Sequence, residues 1–113
     1  MSSWRKRGRV FDPEKSVHWT RSHAALPFAT PLEGDRYRVY CSGRDDDGRS
    51  SIGFVDVTFG SVAHVDEVAS APLVSPGKMG AFDDSGVTMS CLVRAEDRLF
   101  VYYTGWSLGI TVP

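Results

Sequence analysis

Residues 34–44 read Gly-Asp-Arg-Tyr-Arg-Val-Tyr-Cys-Ser-Gly-Arg, and residues 96–106 read Glu-Asp-Arg-Leu-Phe-Val-Tyr-Tyr-Thr-Gly-Trp. Asp35 aligns with Asp97, Arg36 with Arg98, Val39 with Val101, Tyr40 with Tyr102 and Gly43 with Gly105. Each copy is a polar turn followed by a run of β-formers that ends in a small polar residue and glycine. The copies lie about 60 residues apart. A repeat at that period predicts a repeated β unit, such as a propeller blade. The second copy stands near the last residue, so its unit reads as incomplete.

The segments around the repeat carry the same β signal. Strands are expected over 25–32, 37–42 and 51–57, with a weaker one over 62–68 and 73–74. Pro27 and Pro31 place the first of these at an edge. Asp45, Asp46, Asp47 and Gly48 form a polar hairpin connection. The stretch 75–85, with Pro76, Gly77 and Gly80, reads as a long loop between units. Strands over 87–94 and 99–104 follow, and 110–112 begins a third. Residues 1–24 read as irregular, apart from a possible short strand over 8–11. No segment shows a helical period. The expected fold is all-β: a partial five-bladed β-propeller of about two blades. Blade one spans about 20–75 and an incomplete blade two spans about 80–113.

A chain of 113 residues fits one small domain, and its formal net charge of −1 offers no global attraction to nucleic acid. Arg5, Lys6, Arg7 and Arg9 form a basic cluster, which reads as a solvated arm because no aromatic residues interleave it. No apolar run approaches the roughly 18 residues of a membrane-spanning helix, and no secretory signal follows the N-terminal charges. The expected location is cytoplasmic, where Cys41 and Cys91 are buried thiols. No metal-site spacing and no cofactor motif is present, so neither a metal nor a cofactor is expected.

Candidate chemistry concentrates in the acidic pair Asp83 and Asp84. It lies in the stretch 80–87, Gly-Ala-Phe-Asp-Asp-Ser-Gly-Val, just before the first strand of the second unit. Carboxylates there suit proton transfer or acceptance of sugar hydroxyls. The competing reading is an Asx turn that starts a strand. His23 precedes the first strand of unit one and parallels Asp83 or Asp84 in position. Arg44 occupies the strand end that Trp106 occupies in the second copy, and arginine there suits carboxylate or hydroxyl binding. Arg21 stands beside His23 in sequence. His18 and His64 read as surface residues. Trp19, Trp106, Tyr40, Tyr102 and Tyr103 suit either sugar stacking or core packing.

Taken in order, a longer pattern emerges. It comprises Arg21-Ser22-His23-Ala24, Thr30-Pro31-Leu32, Tyr37-Arg38-Val39-Tyr40-Cys41-Ser42-Gly43-Arg44, Gly48-Arg49-Ser50-Ser51-Ile52-Gly53, Phe82-Asp83-Asp84-Ser85-Gly86-Val87 and Tyr102-Tyr103-Thr104-Gly105-Trp106. It resembles the N-terminal part of the five-bladed β-propeller glycosidase superfamily, which includes glycoside hydrolase families 32, 43 and 130. The resemblance covers nearly the whole chain. It implies a protein acting on glycosidic bonds with a glycan or oligosaccharide partner, and no nucleic acid or membrane partner. It implies Asp83 or Asp84 as the blade-two catalytic acid, with Arg21, His23, Arg44 and Trp106 around the substrate. Hydrolases of the superfamily draw three acids from successive blades. Here the blade-one position contains none, and the third acid falls beyond Pro113. The further C-terminal blades would complete the fold, the isolated chain would be inactive, and a non-catalytic carbohydrate-binding propeller is the alternative.

Overall fold

In a computed structural model, residues 3–108 are described. The expected start of a strand at 110–112 lies outside them. Six strands form: β1 (Ala24–Pro31), β2 (Arg36–Arg44), β3 (Ser50–Phe59), β4 (Ala63–Val68), β5 (Gly86–Ala95) and β6 (Arg98–Trp106). The chain is all-β, as its alternating pattern required. The segment 8–11 is not a strand. It leads instead into two short 3-10 turns, Pro13–Lys15 and His18–Thr20, the first capped by the Asp12 carboxylate accepting from the Glu14 amide.

β1 to β4 form one antiparallel meander, and β5 with β6 forms a second. A single parallel bridge, Ser50 to Gly86, joins them into one mixed six-stranded sheet. Proline-bearing β1 is an edge strand, where a missing backbone N–H costs no ladder bond. Its register slips between Ala25 and Phe28, where Leu26 takes a positive φ of 53°. The 45–49 hairpin is closed by Asp45, whose carboxylate accepts from the amides of Asp47 and Arg49, while Gly48 supplies a φ of 77°.

Alternation along β2 and β3 divides their side chains between two cores. One face carries Cys41, Val55 and Val57, packed under Trp19 and Ala69 with Phe11, Val17 and Val39 around them. Trp19 is only 1% exposed, so it belongs to the core and not to a sugar platform. Its indole lies over Gly53, and its Nε1–H donates to the Ala69 carbonyl at 2.6 Å. The other face carries Tyr40 and Ile52, packed against Val87, Met89 and Leu92 of β5. The two meanders therefore stack face to face. The Ser42 hydroxyl seals the seam by accepting from the Met89 amide, beside the bulge that breaks the β5 register.

Asp56 is buried in this scaffold at 1% exposure. Arg38 grips it with two parallel bonds of 2.9 and 3.0 Å and stacks its guanidinium over Phe54, 4.0 Å from the ring centre. Both cysteines are free thiols. Cys41 is buried, and burial pushes its thiol up to about 11.

Candidate functional site

The strand directions bring every sequence-derived candidate to one end of the sheet. β1, β3 and β5 begin there, and β2 and β6 finish there, as the pairs Ala24 with Gly43, Arg44 with Ser50 and Gly86 with Trp106 require. Two clusters result. Arg21, His23 and Arg44 make the first, drawn together by the Arg21 amide donating to the Arg44 carbonyl at 2.8 Å. Asp83, Asp84 and Trp106 make the second, tied by the Ser85 amide donating to the Trp106 carbonyl at 3.0 Å. Among the described residues, no hydrogen bond or ion pair joins the two clusters.

The loop that presents the acids is built from its own backbone. The Gly77 and Gly86 amides both donate to the Asp83 carbonyl, and Gly80 turns the chain with a φ of 93°. The two carboxylates then have different fates. Asp84 accepts from the Gly80 amide at 2.9 Å and from the Ser85 hydroxyl at 3.1 Å. A hydrogen bond from the Ser107 hydroxyl, followed by the Gly80 amide, holds its carboxyl below the ordinary carboxylate range. Asp84 is thus the turn-forming residue, and it stays ionised. Beside it opens a cavity of about 250 Å³ lined by Arg49, Gly77, Met79, Asp84 and Ser85. Arg49 lies close enough to act on the Asp84 charge.

Asp83 behaves in the opposite way. The residue is 7% exposed, and its carboxylate has no hydrogen bond or ion pair among the described residues but keeps contact with solvent, since the Ser50 hydroxyl is the one fully buried side-chain polar atom without a partner among them. Its stem crosses Gly105, where an added Cβ would stand 2.5 Å from the Asp83 Cβ and 2.6 Å from the Phe82 ring. One carboxylate oxygen lies against Gly77, with no room for a Cβ there. Glycine at 77 and 105 is what lets a carboxylate enter this space.

The repeat explains the crossing. Over Gly43, the partner of Gly105 in the first copy, lie the Trp19 carbonyl and the Thr20 side chain, again closer than a Cβ would allow. Trp19 and Thr20 are therefore the spatial counterparts of Phe82 and Asp83. His23 is not: it falls three residues after Thr20, directly before the start of β1. The counterpart Thr20 is fully buried and satisfied, its hydroxyl donating to the His23 carbonyl at 2.7 Å. Linear counting from strand starts misplaced this match by a few residues, and only the shared glycine crossing reveals it.

The remaining candidates divide by exposure. Arg21 and Arg44 are exposed, and their side chains form no ion pair among the described residues. His23 is exposed, with its Nδ1 2.6 Å from the Ser22 hydroxyl, on a cavity of about 420 Å³ shared with Arg9, Phe11, Asp12 and Glu14. Trp106 is half-buried, its indole wedged at the seam against Gly86 and Ser50. His18 is exposed, as is the side chain of His64. Arg49 and Ser107 escaped the sequence reading because neither carries a motif; their places depend on the hairpin and the end of β6. Among the described residues no group of three or more His, Cys, Asp or Glu side chains could hold a metal ion, and no helix is long and apolar enough to cross a membrane.

Two curated proteins of Mycobacterium tuberculosis resemble the chain closely. Uncharacterized protein MT1551 of strain CDC 1551 / Oshkosh and uncharacterized protein Rv1502 of strain ATCC 25618 / H37Rv are each 48% identical over 111 residues. The match takes in 98% of this chain and 37% of each relative, so the chain spans little more than a third of their length. No family model matches the chain, and no solved structure does.

Proposed function

We propose that this chain is the glycan-facing part of a carbohydrate-active protein related to glycoside hydrolases or phosphorylases, and that Asp83 is its reacting or hydroxyl-accepting carboxylate. The propeller architecture belongs to the same proposal, as do a glycan or oligosaccharide partner and a cytoplasmic setting. The observation that carries the reading is the state of Asp83. The Asp83 residue is mostly enclosed, yet its carboxylate finds no protein donor among the described residues and keeps contact with solvent, whereas its counterpart Thr20 is satisfied. Such a group is supported by a ligand that supplies the donors, and sugar hydroxyls do so. The exposed Arg21, His23 and Arg44 at the same sheet end add donors for a hydroxyl, carboxylate or phosphate.

Two-carboxylate glycoside hydrolysis needs a second, independently placed acid. Asp84 does not fit that role, because its oxygens already hold the loop. This favours, for the 113 residues themselves, binding over turnover. Turnover on aryl glycosides and oligosaccharides, with and without phosphate, tests the reading in a protein of the relatives' length that carries this segment. Asp83→Asn is expected to abolish turnover or glycan binding, and Asp84→Asn to weaken it through the loop. Full activity and binding in Asp83→Asn would remove Asp83 from the function.

A further inference from the structure

The internal repeat shows which surface of the second meander is unfinished. In the first copy, Val39 faces the core under Trp19, while Tyr40 faces the second meander and is 6% exposed. In the second copy the counterpart of Val39, Val101, packs back against the first meander, and the counterpart of Tyr40, Tyr102, stands 55% exposed. Each copy thus has a backward face and a forward face. The forward face of the first copy is covered by the backward face of the second: Val87, Met89, Leu92, Leu99 and Val101. The forward face of the second copy carries Phe100, Tyr102, Thr104 and, from β5, Val93, with all four exposed. Even the polar closure is repeated. Ser42 accepts the Met89 amide across the seam, and its counterpart Thr104 reaches only the Ser90 hydroxyl of the neighbouring strand at 3.3 Å.

We infer that Phe100, Tyr102, Thr104 and Val93 form the docking surface for a third β unit, carried on the same polypeptide in a protein of the relatives' length. The unit presents an aliphatic backward face like that of Val87, Met89, Leu92 and Val101. Continuity with the interface already built between the first two units fixes this occupant: Tyr102 stands at the register of Tyr40 and Thr104 at that of Ser42, while Phe100 puts an aromatic ring where the first copy has Arg38. Thr104 accepts an amide from the bulged first strand of that unit, as Ser42 does from Met89. The inference rests on the propeller part of the proposed function and is independent of its carbohydrate part, which the experiment below leaves untouched.

The test sets this chain into the Mycobacterium tuberculosis relative in place of its matched 111 residues and compares the product with the chain alone. Tyrosine acetylation by N-acetylimidazole, read by mass spectrometry, is expected to modify Tyr102 readily in the chain alone and to be largely suppressed in the longer protein. Tyr102→Lys is expected to lower Tm by several degrees in the longer protein and to leave the chain alone nearly unchanged. Equal labelling in both, or equal Tm shifts, overturns the inference. Concentration-dependent association of the chain alone that Tyr102→Lys abolishes overturns it in favour of a second copy. The natural relative supplies a readout free of grafting. Slow amide exchange through its strand aligned with β6 supports the inference, and exchange as fast as in the chain alone overturns it.

Discussion

Gly53→Ala places a methyl group where the Trp19 indole already lies. The new Cβ would stand 2.6 Å from Cη2 and 2.7 Å from Cε2, against an ordinary carbon–carbon contact of about 3.5–4.0 Å. The ring cannot yield cheaply, because it is buried and its Nε1–H is anchored to the Ala69 carbonyl. Overpacking of a closed core costs about 1–3 kcal/mol. Moving the ring by about 1 Å also strains or breaks the anchoring hydrogen bond, a further loss of about 1 kcal/mol. The expected destabilisation is therefore about 2–4 kcal/mol, which in a domain near 100 residues lowers Tm by roughly 10–20 °C. Urea unfolding followed by tryptophan fluorescence and near-ultraviolet circular dichroism measures it. Gly60→Ala is the control, since the nearest atom to its new Cβ is 3.9 Å away, and it should shift stability by less than about 0.5 kcal/mol. In a Trp19→Leu background, Gly53→Ala should cost less than half as much, because the colliding ring is gone. A loss below about 1 kcal/mol for Gly53→Ala, or full additivity with Trp19→Leu, would refute the reasoning.

Four further outcomes are expected. Arg38→Ala strands the buried Asp56 carboxylate and should cost about 3 kcal/mol in urea unfolding, whereas adding Asp56→Asn to it should recover part of that loss. Iodoacetamide at neutral pH should alkylate half-buried Cys91 well before Cys41, whose thiolate burial disfavours. As pH rises from 9.0 toward about 11, the buried Cys41 thiol should favour unfolding, and Cys41→Ala should flatten that part of the stability profile. The Asp84 carboxyl is held below its ordinary value, so its grip on the 80–85 turn is present above about pH 4 and is lost as pH falls through the depressed value. Protection from hydrogen exchange over 77–86, taken relative to the intrinsic amide rate at each pH, should fall below about pH 4 in the parent chain, and Asp84→Asn should remove that step. An unchanged exchange profile in Asp84→Asn would show that the carboxylate does not hold the turn.

The duplicated Asp-Arg…Val-Tyr…Gly segment alone determined that the chain builds repeated β-hairpins, because alternation of apolar residues commits both faces of a strand. The polar 45–49 turn, the proline-bearing edge strand and the loop over 75–85 were legible for the same local reasons: Asp, Gly and Pro fix backbone geometry without tertiary help. Asp12-Pro13 marks the first 3-10 turn locally, but the second, His18–Thr20, was not legible, since Trp19 is held by Gly53 and Ala69, distant in sequence. Nor could the sequence separate two adjacent aspartates. One becomes a turn residue and the other a mostly enclosed side chain without a protein donor only because Gly105 of β6 and Gly77 admit it, a contact across the sheet. The same holds for the repeated tyrosines. They are identical in sequence, and whether each is core or surface is decided by which neighbouring sheet face covers it, since burial is a property of packing and not of the residue.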